Sequence, residues 1–137
     1  MSLPPIERTL IVVKPDSVAR GNTGEILSRF ERRGLKVAEL RMQKLTKKTA
    51  EEFYSVHRDK PFFRELVSFI TSGPVVGAII EGRDAVALVR RMVGATKSWE
   101  SAPGTIRGDL ATGLLDNAIH ASDSKDSFER ESRAFFS

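Results

Sequence analysis

The sequence predicts an α/β fold of the α+β kind, and two observations lead to it. Strand and helix patterns alternate along the chain, from a strand near the N-terminus to a helix at the C-terminus. One strand alternates apolar and polar residues, as expected of an antiparallel strand with one solvated face. With helices stacked on one face, this order fits a ferredoxin-like βαββαβ sandwich: a four-stranded antiparallel sheet covered by helices, plus a C-terminal helix. Pattern alone leaves a flavodoxin-like parallel sheet as the alternative.

The first strand and helix are predicted close to the N-terminus. Residues 9–14 read as a buried strand, which Pro15 ends because proline has no N–H to donate to a sheet. Asn22 and Glu25 resemble a capping box, which predicts the start of a helix that Gly34 closes.

The second strand runs from Ala38 to Gln43 and is predicted to be half-buried, with Leu40 and Met42 on its covered face. Thr46 then begins a helix whose apolar spacing continues to His57. The remaining predicted elements are a helical segment from Pro61 to Gly73, a strand over Val75–Ile80, a helix capped by Asp84 and closed by Gly94, a long irregular segment from Ala95 to Leu115, a short strand around Ala118 and Ile119, and a final helix from about Ser124.

The composition restricts the class of protein. The 137 residues suffice for one domain, which we expect to span residues 6–137 after a short N-terminal extension, residues 1–5. The chain has no cysteine, which excludes disulfide scaffolds, thiolate nucleophiles and cysteine-ligated zinc. The formal net charge of +4 weakly favours anionic partners such as phosphates or nucleic acid.

Neither end of the chain nor its interior indicates a membrane or secretory protein. The longest apolar stretch, Pro74–Ile80, is too short to span a bilayer. The N-terminus lacks the basic start and the apolar run of a secretory signal. We therefore expect a cytoplasmic protein without membrane association.

The usual glycine-rich phosphate motifs are absent, since neither GxxxxGK[ST] nor GxGxxG occurs. A protein of this sequence must bind phosphates, if it binds them, with separate cationic side chains. Arg90, Thr96 and Arg107 surround the irregular segment and could converge on an anion, because the arginine fork matches phosphate oxygens bidentately. The alternative for Arg90 is a solvent-facing position on its helix.

Three polar residues stand out because of where they fall. Lys14 ends the first strand, and its alternative role is a sheet-edge lysine whose ammonium reaches water. Glu131 lies on the apolar stripe of the last helix, where an acid needs a partner. His120 ends the last strand, and the following helix brings Glu131 back towards it. A carboxylate on one ring nitrogen fixes the tautomer and leaves the other nitrogen as a nucleophile. His57, the other histidine, is predicted to pack or to form hydrogen bonds.

The segment around His120 resembles a known motif. Asn117–Ser124 reads NAIHASDS and is similar to NxxHGSDS, the active-site signature of the nucleoside diphosphate kinases. Ala121 stands where the family usually has glycine, a small change unless the backbone there needs a positive φ. Further blocks at family-like spacing extend the resemblance over nearly the whole chain: Lys14–Asp16, Phe53–Tyr54, Pro61–Phe63, Ser72–Val76, Gly94–Thr96 and Pro103–Asp109.

The resemblance implies a nucleoside-diphosphate kinase, an enzyme with a reversible ping-pong reaction that maintains the NTP and dNTP pools. A nucleoside triphosphate would give its γ-phosphate to His120, and the phosphohistidine would pass it to a different nucleoside diphosphate. By matching position, Glu131 would orient the ring of His120. The other implied site residues are Tyr54 and Ser122 beside the histidine, Lys14 on the ribose hydroxyls and phosphate end, Arg90, Thr96 and Arg107 on the phosphates, Asn117 on the sugar, and Phe62 and Leu114 on the two sides of the base.

The resemblance also implies cofactors and partners. The ion Mg2+ would enter on the nucleotide's own phosphates, without a metal site in the protein. The partners would be ribo- and deoxynucleoside tri- and diphosphates, and the chain would form a homo-oligomer, a hexamer more readily than a tetramer.

Two other functions remain open at this point. A basic ferredoxin-like module could bind nucleic acid without catalysis, but it should carry aromatic residues on an open sheet face. The phenylalanines here fall mainly on predicted helices, so nucleic-acid binding is not predicted. An inactive family member kept for assembly is disfavoured because the implied site residues are all present.

Overall fold

The structure is a computed structural model that describes residues 2–137. The strands of this part of the chain are β1 (Ile6–Val13), β2 (Lys36–Gln43), β3 (Val75–Arg83) and β4 (Ile119–Ala121). Its α-helices are α1 (Pro15–Ala19), α2 (Thr23–Arg32), α3 (Lys47–Phe53), α4 (Phe63–Ile70), α5 (Ala85–Val93), α6 (Ile106–Leu110) and α7 (Lys125–Phe135). Short 3₁₀ turns cover Ser55–His57 and Ser98–Glu100.

The four strands form one sheet in the order β2-β3-β1-β4, and every neighbouring pair is antiparallel. This confirms the predicted four-stranded antiparallel sheet with its C-terminal helix, and the parallel, flavodoxin-like alternative is wrong. β1 lies inside the sheet, with Val12 opposite Gly77 of β3 on one side and His120 of β4 on the other. The central strand therefore fixes the position of the candidate catalytic histidine.

Helices cover both faces of the sheet, so the expectation that they stack on one face is wrong. Ile11 and Val13 of β1 pack into a layer formed with α2, α5 and α6, whereas Leu10 and Val12 pack into a second layer with α3, α4 and α7. All four side chains are fully buried. Because successive side chains of a strand point to opposite faces, a strand this apolar needs cover on both sides.

The helix starts divide into two kinds. Thr46 and Ser124 cap α3 and α7 as their sequences predict, and each hydroxyl accepts the backbone N–H three residues on at 3.1 Å. Asn22 makes no such bond, so the predicted capping box is wrong. The ψ of Asn22 is 0° rather than extended, and a side chain on such a backbone does not turn back to the helix. Asp84 also makes no side-chain cap bond.

Other local predictions need correction. Leu40 and Met42 are 56% and 61% exposed, because nothing in the described chain covers that part of the edge strand β2. α3 ends at Phe53, and His57 lies in the 3₁₀ turn that follows. Pro15 ends β1 and also occupies the first turn of α1, a helix that the sequence pattern does not predict. No helix within residues 2–137 has the length and apolar character needed to cross a membrane.

Candidate active site

His120 is the central residue of β4 rather than its last, and it lies opposite Val12 of β1. Its neighbours Ile119 and Ala121 are buried in the layer under α2, α5 and α6. The side chain of His120 therefore points to the opposite face, towards α3 and α7. About a fifth of that side chain stays exposed (20%), so the ring is reachable from solvent.

Glu131 on α7 holds the ring of His120. Its Oε1 lies 2.7 Å from Nε2 of His120 and also accepts the hydroxyl of Ser122 at 2.7 Å. Burial by itself would raise the pKa of Glu131, but the hydrogen bonds to His120 and Ser122 outweigh it and lower that pKa. Glu131 is thus an ionised acceptor at neutral pH. Nε2 of the neutral ring must then carry the proton, which leaves the lone pair on Nδ1.

Two aromatic rings pack edge-on against the imidazole. The ring centroid of Phe53 lies 4.9 Å from that of His120, and the centroid of Tyr54 lies 6.3 Å away. Both aromatic residues are buried. Burial, with the nearby charge of Glu131, raises the pKa of Tyr54, so its phenol stays protonated and can donate. The orientation of the imidazole is thus fixed by these aromatic contacts as well as by the carboxylate of Glu131.

Two arginines bond the carbonyls on either side of His120 in the chain. Arg90 on α5 donates to the carbonyl of Ala121 at 3.1 Å, and Arg107 on α6 donates to that of Ile119 at 2.8 Å. Arg90 is half-buried and bonded, so its alternative as a solvent-facing residue is wrong. Burial, followed by the charge of Arg90, lowers the pKa of Arg107 to about 10, so Arg107 remains cationic at neutral pH.

A third cation lies at the start of α1. Lys14 is only 5% exposed, so the alternative of an ammonium that reaches water is wrong. Its Nζ donates to Oδ1 of Asn117 at 2.9 Å and to the carbonyl of Leu115 at 3.4 Å. The amide of Asn117 in turn donates to the carbonyl of Thr96 at 3.1 Å. Burial, followed by the charge of Arg107, lowers the pKa of Lys14 to about 8.

The two residues that the resemblance places on the base are more peripheral. Phe62 and Leu114 are 42% and 52% exposed. The ring of His57 links Phe62 to the histidine cluster, with centroids 5.6 Å from Phe62 and 6.4 Å from Tyr54. Leu114 is connected to the site through the next residue in the chain. The carbonyl of Leu115 accepts a hydrogen bond from Nζ of Lys14.

Three residues that were not predicted as site residues contact His120, Glu131 or the turn before β4. Phe53 belongs to the Phe53–Tyr54 block, but its place on a helical apolar stripe gave no reason to put its ring on that of His120. Asp16 accepts the backbone N–H of Ala118 at 3.1 Å; it belongs to the Lys14–Asp16 block, which was the available signal. Arg130 donates to Oε2 of Glu131 at 3.3 Å, and no pattern marks it.

The cluster combines cationic side chains with an imidazole, an arrangement that can bind an anion beside a nucleophile. Among residues 2–137, no group of three or more histidine, cysteine, aspartate and glutamate side chains could hold a metal ion. The sheet offers no open face for nucleic acid near β1, since both of its faces are buried. The substitution of alanine at position 121 introduces no strain, because the positive φ of this segment lies at Ala118 instead.

The sequence and the fold of this chain are both similar to those of one family of known proteins. A family model described as nucleoside diphosphate kinase matches residues 7–137. The nucleoside diphosphate kinase of Hyperthermus butylicus is 56% identical over 133 residues, which are 97% of this chain and 94% of that protein. A crystal structure of the Aquifex aeolicus nucleoside diphosphate kinase has a TM-score of 0.94 at 48% identity and covers 97% of this chain and 96% of its own. The Halobacterium salinarum enzyme in complex with CDP has a TM-score of 0.92 at 48% identity, with coverage of 96% and 88%.

Proposed function

The chain belongs to the nucleoside diphosphate kinase family, and on that premise we propose that His120 carries the phosphoryl group between two nucleotides. The activity is that of the family, transfer of the terminal phosphate of a nucleoside triphosphate to a nucleoside diphosphate. The observation that carries the assignment of His120 is the 2.7 Å contact between its Nε2 and Glu131. It leaves Nδ1 as the nitrogen with the free lone pair.

In the first half-reaction, the lone pair of Nδ1 attacks the γ-phosphorus, and the bond to the oxygen of the β-phosphate breaks. The nucleoside diphosphate leaves with that electron pair. In the second half-reaction, a terminal phosphate oxygen of a different diphosphate attacks the same phosphorus, and the N–P bond breaks. The ring becomes cationic when Nδ1 is phosphorylated, and the ionised Glu131 on Nε2 stabilises that charge.

The cations around β4 supply the charge stabilisation that phosphoryl transfer needs. Arg90 and Arg107 flank His120 and take the phosphates, together with Thr96. The phenol of Tyr54 donates a hydrogen bond beside the ring. Lys14 and Asn117, already paired with one another, take the sugar hydroxyls and the phosphate end. Ser122 supports Glu131 and does not contact substrate.

Phe62 and Leu114 hold the base between them. Both are exposed, so a base can reach them from solvent. Stacking on an aromatic face accepts every base, so the enzyme uses nucleotides of all bases. Both ribo- and deoxynucleotides are proposed as substrates. The CDP complex of the Halobacterium salinarum relative supports nucleotides as the ligand class.

Mg²⁺ enters as part of the nucleotide. The phosphate ligands proposed here, Lys14, Arg90 and Arg107, are cationic, a set that suits phosphate oxygens and not a metal ion of the protein's own. When bound to the phosphates, the ion neutralises part of their negative charge, while the phosphates themselves are positioned by Lys14, Arg90 and Arg107.

The broader setting follows from the same premise. We place the single domain at residues 6–137 after a short extension, supported by a family match that begins at residue 7. The protein works in the cytoplasm as a homo-oligomer, a hexamer more readily than a tetramer. No observation favours nucleic-acid binding as a second function.

The test uses the two histidines of the chain as a matched pair. The protein is incubated with γ-labelled ATP and Mg²⁺, the covalent label is tested for acid lability, and GDP or dCDP is then added. The parent and His57→Ala should take up acid-labile label and release it to either diphosphate, whereas His120→Ala should take up none. Equal labelling of His120→Ala and the parent would contradict the assignment, and so would label that no diphosphate removes.

A further inference from the structure

The turn before β4 has an unusual backbone. Ala118 has a φ of +75°, in the left-handed region that residues with a Cβ rarely adopt. The N–H of Ile119 donates to the carbonyl of Asn117 at 2.9 Å, which closes a three-residue γ-turn with Ala118 at its centre. Ala118 is fully buried. A strained turn persists only where its surroundings hold it.

Two residues at the start of α1 hold this turn by hydrogen bonds to the N–H and to the carbonyl of Ala118. The N–H of Ala118 donates to Oδ2 of Asp16 at 3.1 Å, and its carbonyl accepts the backbone N–H of Lys14 at 2.9 Å. The second bond is between backbone groups and needs no particular side chain. The first depends on the identity of residue 16.

The turn lies between two parts of the proposed site. Asn117 precedes Ala118, and its side chain pairs with Nζ of Lys14 at 2.9 Å. Ile119 follows and begins β4, but the register of His120 is fixed separately by Val12 and its ring by Glu131. Loss of the bond to Asp16 would therefore displace Asn117 before it displaced His120.

We propose that Asp16 is a positioning residue for nucleotide binding: its carboxylate oxygen holds the strained turn at Ala118 and so keeps the Asn117 amide against Lys14. The inference rests on the proposed function, which gives Asn117 and Lys14 to the nucleotide. Asp16 itself does not contact substrate.

The surroundings of Asp16 support a fixed geometric role. Its second oxygen, Oδ1, is buried and has no hydrogen-bond partner in the described part of the chain. Burial raises the pKa of Asp16, with the N–H of Ala118 opposing that effect. A carboxylate in this position is destabilised relative to one in water. The ordinary alternative is an acid that stabilises the first turn of α1 by its charge.

Two substitutions separate these alternatives, because one keeps the geometry and the other keeps the charge. In Asp16→Asn, an amide oxygen of the same reach can still accept the N–H of Ala118. In Asp16→Glu, the charge remains, but the longer side chain moves both oxygens away. Asp126→Ala, in the first turn of α7, serves as the control for removal of an exposed N-terminal acid. For each variant, the KM for GDP and kcat are measured, and thermal unfolding is followed by circular dichroism.

We expect Asp16→Glu to raise the KM for GDP about tenfold, the effect of losing one hydrogen bond to a charged group, while kcat stays within about threefold of the parent. Asp16→Asn and Asp126→Ala should keep a KM within about threefold of the parent. The reverse order, with Asn impaired and Glu not, would overturn the proposal in favour of a charge effect. A parental KM in both variants, or a loss confined to kcat, would overturn it as well. The labelling of His120 tests the proposed function separately, since it can succeed while Asp16 proves irrelevant.

Discussion

The buried lysine at the start of α1 predicts an unusual pH dependence for this enzyme. Free lysine keeps its charge to about pH 10, but burial lowers the pKa of Lys14 to about 8. The charged fraction of such a group falls from roughly nine-tenths at pH 7 to roughly one-tenth at pH 9. We therefore expect kcat/KM for GDP to fall about tenfold over these two pH units, because only the ammonium form could bind the phosphates in the role proposed for Lys14.

Lys14→Arg provides the control for that profile. A guanidinium stays charged throughout this range, so the variant should show no decline between pH 7 and 9, whatever its absolute rate. The other buried cation, Arg107, has a pKa lowered only to about 10, above the range of the measurement. A parental profile that is flat to pH 9.5, or an equal decline in Lys14→Arg, would refute the assignment of the lowered pKa to Lys14.

The same lowered pKa predicts the opposite trend for stability. Between pH 8 and 10.5 the unfolded chain binds the Lys14 proton and the folded chain does not, so the free energy of unfolding rises with pH over that window. The full effect is roughly 3 kcal/mol, from a shift of about 2.5 pH units at 1.36 kcal/mol each. Urea unfolding at several pH values should show this rise as a difference between the parent and Lys14→Met. A difference that falls with pH would mean that the ammonium is stabilised, not destabilised, by its surroundings.

Three further changes test other contacts. Glu131→Gln should slow phosphorylation of His120 by at least about tenfold, with KM within about threefold of the parent, because the ring loses the negative charge that stabilises its cationic form. Unchanged turnover of Glu131→Gln in rapid-quench labelling would remove Glu131 from the mechanism. Ser122→Ala should slow the same step by only about threefold, since Glu131 keeps its bond to His120; a loss as large as that of Glu131→Gln would give Ser122 a more direct role. Gly77→Ala should lower the free energy of unfolding by about 1–3 kcal/mol in thermal or urea unfolding, because its Cβ would overlap the ring of Phe135; full stability would mean that the ring moves freely.

The pairing of His120 with Glu131 could be anticipated from the sequence because simple geometry relates them. A strand, a short turn and a helix bring residues eleven positions apart back together. An acid on the apolar stripe of that helix must face the sheet, where a polar partner is required. The contact depends on periodicity alone, which the sequence displays directly.

Short elements and covered faces could not be predicted in this way. α1 has five residues, too few for any periodic pattern, although a proline followed by an acid is typical of a helix start. Nothing marks Ala118 as left-handed, because alanine has no preference for that conformation. The alternation of Leu40 and Met42 predicts a two-sided strand, but it cannot reveal whether another element covers the apolar side.

The position of β1 between its two neighbours has a consequence for motion. Its amides are bonded to β3 along eight residue pairs and to β4 along three, and its side chains join both apolar layers. Hydrogen exchange at β1 should therefore require unfolding of the whole molecule, whereas the three-residue outer strand β4 can detach at a lower free energy. The imidazole of His120 thus lies on a short outer strand that is paired directly with the strand that opens last.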